Sequence, residues 1–101
     1  MSTTLEIKLS RRYEVPGTEP FDTIVLREPT FGDLYIAGLG RPVEFQPTKN
    51  GIIRVAYPEV IDQYVKRLAV SPEYQAIGQI AAVDAIRLES AVCDFFRDRT
   101  E

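Results

Sequence analysis

Leu26-Arg27-Glu28-Pro29-Thr30-Phe31-Gly32-Asp33-Leu34 marks an abrupt change of backbone state. The residues before it, Phe21 to Leu26, read as a strand with Ile24 and Leu26 on one face and Thr23 and Val25 on the other. Pro29 has no amide to give to a sheet ladder and biases Glu28 toward an extended backbone. Thr30 then offers a hydroxyl to an orphan amide. Asp33, three residues on, puts a negative charge near the positive end of a helical turn. The spacing is that of a capping box, with Asp33 standing where Glu or Gln is usual. These residues predict a strand-to-helix corner that sets architecture and carries no chemistry of its own.

Working outward toward the N-terminus, Leu5, Ile7 and Leu9 alternate with Glu6, Lys8 and Ser10, the period of a strand with one buried face. Tyr13 and Val15 continue that face past Arg11. Pro16-Gly17-Thr18-Glu19-Pro20 is a turn by composition, so the first two strands form an antiparallel hairpin. A two-stranded hairpin is not stable alone, and its apolar face must meet helices or a partner chain. On the other side of the corner, Leu34, Tyr35 and Ala37 to Leu39 support a short helix, which Gly38 and Gly40 are placed to end. Arg41 to Phe45 is extended again. Asn50-Gly51, the strongest short turn pair, then separates it from Ile52, Ile53 and Val55, as either a second, smaller hairpin or an exposed loop.

From Pro58 the period becomes helical. Pro58 suits a first turn, Glu59 and Asp62 sit toward the positive end, and Lys66 and Arg67 toward the negative end. Val60, Ile61, Tyr64, Val65 and Leu68 make one apolar stripe. Ser71-Pro72-Glu73 predicts a second helix start with Ser71 as its N-cap, followed by Tyr74, Ile77 and Ile80, with Gly78 weakening it. Val83 or Asp84 opens the last helix, Asp84 serving as a cap. Ile86, Leu88, Ala91, Val92, Phe95 and Phe96 supply its broad apolar face, and residues 97–101 fray into solvent. The expectation is an α+β chain forming a single small domain over residues 1–101. It is β-rich over 4–56 and helical over 58–98, with an N-terminal antiparallel hairpin and a C-terminal group of three short helices.

Composition narrows the function. The 101 residues are 45% apolar and 27% charged, ordinary for a folded chain. Cys93 is the sole cysteine, so no disulfide forms within the chain, and its apolar neighbours Val92, Phe95 and Phe96 predict a buried, inert thiol. Net charge is −3 with the signs interspersed, and no run of Lys and Arg makes a footprint for nucleic acid. No apolar run approaches the roughly 20 residues that span a bilayer. The first residues lack the basic and apolar regions of a signal peptide, which predicts a cytosolic chain. There is no histidine, which removes the commonest general base and metal ligand together. With one cysteine besides, a Cys/His zinc site cannot be assembled within one chain. The carboxylates each have a role as helix-end or solvent-face charge, and Ser71 and Ser90 have no histidine to activate them. Gly38-Leu39-Gly40 is too short for a phosphate-binding loop. The expectation is a non-enzyme without cofactor, metal, small-molecule substrate, nucleic acid or membrane.

Phe95-Phe96 is the most pointed remaining feature. Adjacent helical positions diverge by about 100°, so both rings bury only if the helix is covered over a wide arc. Either both are core aromatics or one is left for another chain. Tyr35, Tyr57, Tyr64 and Tyr74 suit a core rim or an interface equally.

The order of these landmarks resembles the tail assembly chaperones of Mu-like, contractile-tailed phages. The resemblance is carried by Leu26-Arg27-Glu28-Pro29-Thr30 with Asp33-Leu34, Gly40-Arg41-Pro42-Val43, Asn50-Gly51, Val60-Ile61 with Tyr64-Val65 and Leu68-Ala69, Asp84, and Phe95-Phe96. It spans roughly Thr23 to Phe96, and its specificity lies in order and spacing. The resemblance implies a protein of the host bacterial cytoplasm, made from a phage or prophage. It would coat the tape measure protein during tail morphogenesis and be absent from the mature virion. The alternative is a structural tube or connector subunit retained in the particle, with the N-terminal strand as an open pairing edge. A holdase needs exposed apolar surface and many weak contacts, whose avidity comes from multivalency. On that reading Tyr64, Leu68, Val92, Phe95 and Phe96 are the partner-binding residues, gripping the client or further copies in a homo-oligomer.

Overall fold

The computed structural model describes residues 4–97. Strands β1 (Thr4–Tyr13) and β2 (Phe21–Arg27) form the expected antiparallel hairpin, in a register that sets Leu5 against Leu26 and Ile7 against Ile24. The alternation read from the sequence holds for Ile7, Leu9, Ile24 and Leu26, which are buried, while Leu5, at the start of the same face, is 37% exposed. The turn closes with the Thr18 amide donating to the Val15 carbonyl at 3.0 Å. Past Lys8 the two strands lose step. Five steps from Lys8 to Tyr13 face two from Thr23 to Phe21, so β1 bulges over Leu9 to Arg12.

After the corner comes a short, wide turn, Gly32–Ile36, in which the Ala37 amide donates to the Gly32 carbonyl at 2.8 Å, a π-type bond. Gly38 and Gly40, at φ +77° and +76°, end it as expected, in a backbone region that other side chains rarely enter. Strands β3 (Val43–Thr48) and β4 (Gly51–Ala56) make the second hairpin, paired from Val43↔Ala56 out to Thr48↔Gly51 across Lys49-Asn50.

Helix α1 (Pro58–Leu68) begins at its proline and buries Ile61, Tyr64, Val65 and Leu68, the predicted stripe. It runs directly into a strand that the sequence did not disclose, β5 (Ala69–Ser71), antiparallel to β2, so the larger sheet has the order β1-β2-β5. Ser71 therefore pairs with Val25 and does not cap a helix; α2 (Tyr74–Ile77) starts after Glu73. Helix α3 (Ala82–Phe95) packs Leu88, Val92 and Cys93 inward. Ile86 departs from its predicted apolar face and is 62% exposed. Two residues from Leu88 is about 200° of helix, which turns Ile86 away from the sheet. The predicted fraying of 98–101, and the last helical position at 98, lie outside the described residues.

One core results: the sheet face of β1 and β2, covered by α1 and α3, with Ile77 and Val43 joining the same buried cluster. Among the described residues no helix is long and apolar enough to cross a membrane.

Candidate interaction site

The corner that opens the sequence holds a buried ion cluster. Asp33 is 2% exposed. Its Oδ2 accepts from Arg27 Nη1 at 2.9 Å and from the Thr30 amide at 2.8 Å. Its Oδ1 accepts from Arg27 Nη2 at 3.0 Å and from Arg67 Nε at 2.5 Å. The Asp33 amide donates back to Thr30 Oγ1 at 3.4 Å, completing the reciprocal capping pair read from the sequence. The Arg27 guanidinium above all holds this carboxyl well below the usual range; burial opposes it, and Arg67 and the Thr30 amide reinforce it. One carboxylate thus ties the end of β2, the π-turn and α1 together.

Drawing Asp33 inward turns the other side of the five-residue turn out. Phe31, Tyr35 and Ile36 are 71%, 61% and 83% exposed, and the two rings pack on each other at 4.9 Å. Tyr35, which stands exposed, was legible as a tyrosine of either a core rim or an interface. Phe31 and Ile36 were not, because a π-turn does not follow the 3.6-residue period.

Asp84 is the second buried carboxylate, and it does not cap α3. The bulge in β1 frees the Ser10 amide from the ladder, and that amide donates to Asp84 Oδ1 at 2.8 Å. Ser10 Oγ and Tyr13 OH both donate to Oδ2, at 2.8 and 2.5 Å, and Tyr13 OH accepts from the Ala81 amide at 3.0 Å. Desolvation pushes the Asp84 carboxyl up, but the hydrogen bonds from Tyr13 and Ser10 together outweigh it and hold it below its ordinary value. Arg87 Nη1 donates to the Lys8 carbonyl at 3.2 Å. The edge of β1 that the sequence offered for pairing is thus occupied along Lys8 to Ser10 by side chains of α3.

The residues predicted to grip a partner are placed differently. Tyr64, Leu68 and Val92 are each 0% exposed and belong to the core, so in this fold they present no surface to another chain. The reason is coverage: α1 and α3 both lie on the β1–β2 face, which closes the arc that the sequence left open. Tyr64 also spends its hydroxyl internally, donating to the Gly40 carbonyl at 2.6 Å. Phe96 sits edge-on against the Tyr64 ring at 5.1 Å. Phe95 and Phe96 are partly buried against the core and retain some outer surface. Cys93 is buried as expected, and burial pushes its thiol up.

What lies open near the end of α3 is a trough against the second hairpin. Phe45, Ile52 and Arg54 of the hairpin face Asp94 and Arg97 of the helix end across about 480 Å³. Pairing places Val43/Ala56, Phe45/Arg54 and Pro47/Ile52 on one face of the hairpin. Its base is buried at Val43, and its middle is held by the Arg54–Glu89 ion pair at 3.2 Å. Ile52 is 73% exposed and Phe45 37%, with Ile53 open on the opposite face. The arrangement is an apolar arm with charged side chains along one wall. Among the described residues no group of three or more His, Cys, Asp or Glu is placed to hold a metal ion. No family model, no curated protein and no solved structure matches this chain.

Proposed function

We propose that this protein is a phage tail assembly chaperone that holds the tape measure protein in the host bacterial cytoplasm during tail morphogenesis and leaves before the virion is complete. The observation that carries the reading is the trough between the second hairpin and the end of α3, where Phe45 and Ile52 stand out beside Arg54 and Arg97. Large apolar side chains exposed on a projecting arm are what a holdase needs to cover the apolar stripe of a long helical client. The motif order that resembles this chaperone family points the same way. The trough replaces Tyr64, Leu68 and Val92 as the gripping surface, with Asp94 and Arg97 at the end of α3 as its helical wall. The occupied edge of β1 speaks against a tube or connector subunit assembled by strand pairing at Lys8 to Ser10.

Co-expression with the tape measure protein of the same phage tests the reading. The wild-type chain is expected to co-purify with the client and keep it soluble. Ile52→Asp loses the client while its circular dichroism is unchanged, because that side chain supports no core. Mass spectrometry of purified virions is expected to find the chain absent; a stoichiometric amount overturns the proposal in favour of a structural subunit.

A further inference from the structure

Two apolar features are distinct from the trough, one of them meeting it at the Arg54–Glu89 pair. One is the tip of the π-turn, with Phe31, Tyr35 and Ile36 exposed. The other is a groove of about 630 Å³ between the three helices, with a floor that includes Ile61, Val65, Ile77, Ile80 and Leu88. That volume lies within the range of about 300–1,000 Å³ typical of ligand clefts. Helix geometry keeps the two apart. Arg67, which anchors the tip, stands about 160° around α1 from Val65 and about 140° from Asp62, both of which line the groove. The tip therefore cannot fill the groove of its own chain.

Charge distinguishes the two features. Two arginines, Arg27 and Arg67, share the single Asp33 behind the tip. Arg41, exposed just beyond the turn, has no ion-pair partner among the described residues. The charged residues lining the groove are both acids, Asp62 and Glu89. Glu89 is already paired with Arg54. Asp62 accepts a hydrogen bond from the Tyr74 hydroxyl; Lys66 lies over the Tyr74 ring at 5.7 Å, and among the described residues no cation is within ion-pair distance of Asp62.

We propose that the groove receives the Phe31–Tyr35–Ile36 tip of a second copy of this chain, with Arg41 of that copy brought to Asp62. The contact joins two different surfaces, so it is heterologous, and each copy keeps one surface open for the next. The product is a head-to-tail chain or ring. Client binding in the trough is not required for it.

Sedimentation of the full-length chain over a concentration series tests this. The wild type is expected to grow in mass beyond a dimer as concentration rises. Ile36→Asp in the tip and Ala85→Glu at the groove each weaken association by about tenfold or more. Both positions are exposed, so folding, checked by circular dichroism, is retained. Mixing the two variants gives the decisive readout: one still has a working groove and the other a working tip, so they form a one-to-one heterodimer and nothing larger. Arg41→Glu weakens the wild-type assembly, and adding Asp62→Arg restores it. A wild type that stays monomeric up to its solubility limit overturns the proposal, including one whose groove is covered only when a client is added. A mixture of variants without heterodimer, or a failed charge reversal, overturns it too. Ile52→Asp, which disables the trough, leaves self-association intact, so failure of this contact and failure of client holding are separate results.

Discussion

At the scale of single residues, Asp33 and Asp84 show how a buried carboxylate stays charged. Each is surrounded by donors, and in each case the donors outweigh desolvation. Asp33→Asn keeps the shape and leaves Arg27 and Arg67 with a neutral partner. Because both guanidiniums remain partly in water, the expected loss is about 1–3 kcal/mol, measured as a shift in the urea midpoint. The pH dependence has a definite sign. Both carboxyls titrate lower in the folded chain than in the unfolded one, where the value is near 3.9. Between the two values the unfolded chain holds more protons, so the stabilisation is complete above about pH 5 and is lost as pH falls through the folded values. The gap in stability between wild type and Asp33→Asn is therefore expected to narrow from pH 6 toward pH 2; a constant gap would show that the charge on Asp33 is not what matters.

At the scale of elements, the two hairpins share a topology and differ in support. The β1–β2 hairpin is sealed on one face by α1 and α3, whereas β3–β4 is anchored at Val43 and by one partly exposed ion pair. An isolated two-stranded hairpin is marginal in water. Native-state hydrogen exchange is expected to show amides of β3 and β4 exchanging well ahead of those of β2. Protection of β3–β4 equal to that of β2 would mean that the arm is held by more than its base. The end of α3 behaves in the opposite way. Phe96→Ala removes the edge-on contact with Tyr64 and part of a half-buried ring, and is expected to cost about 2 kcal/mol in chemical denaturation. Client capture per folded molecule is expected to be unchanged, which separates a core ring from a gripping one.

At the scale of the whole molecule, the described chain measures 47 × 32 × 27 Å; exposed apolar side chains gather at the tip and on the hairpin arm, with Val70, Val83 and Ile86 exposed elsewhere. On the proposed function, a chaperone that must let go gains from contacts that are individually weak. Affinity then comes from many copies on one client. Client fragments long enough for several copies are expected to bind about a hundredfold more tightly than a fragment that seats one, by surface plasmon resonance against fragment length. Affinity independent of length would mean that each copy binds alone.

Much of this architecture was legible in the chain itself. Alternation at Leu5-Ile7-Leu9 and Ile24-Leu26, the breaker Pro29 and the stripe from Ile61 to Leu68 determined the first hairpin, the corner and α1, because each depends on neighbours within a few positions. The capping pair Thr30–Asp33 was equally local. Asn50-Gly51 left a second hairpin and an exposed loop both open until the structure showed the hairpin. The tertiary structure alone decided that Ser71 enters a sheet, that Asp84 serves a bulge 74 residues away, and that Tyr64, Leu68 and Val92 are interior while Phe31, Ile36 and Ile52 are not. Periodicity reports which side of an element is apolar. Whether that side is covered depends on which distant elements reach it, and that is set only when the chain closes on itself.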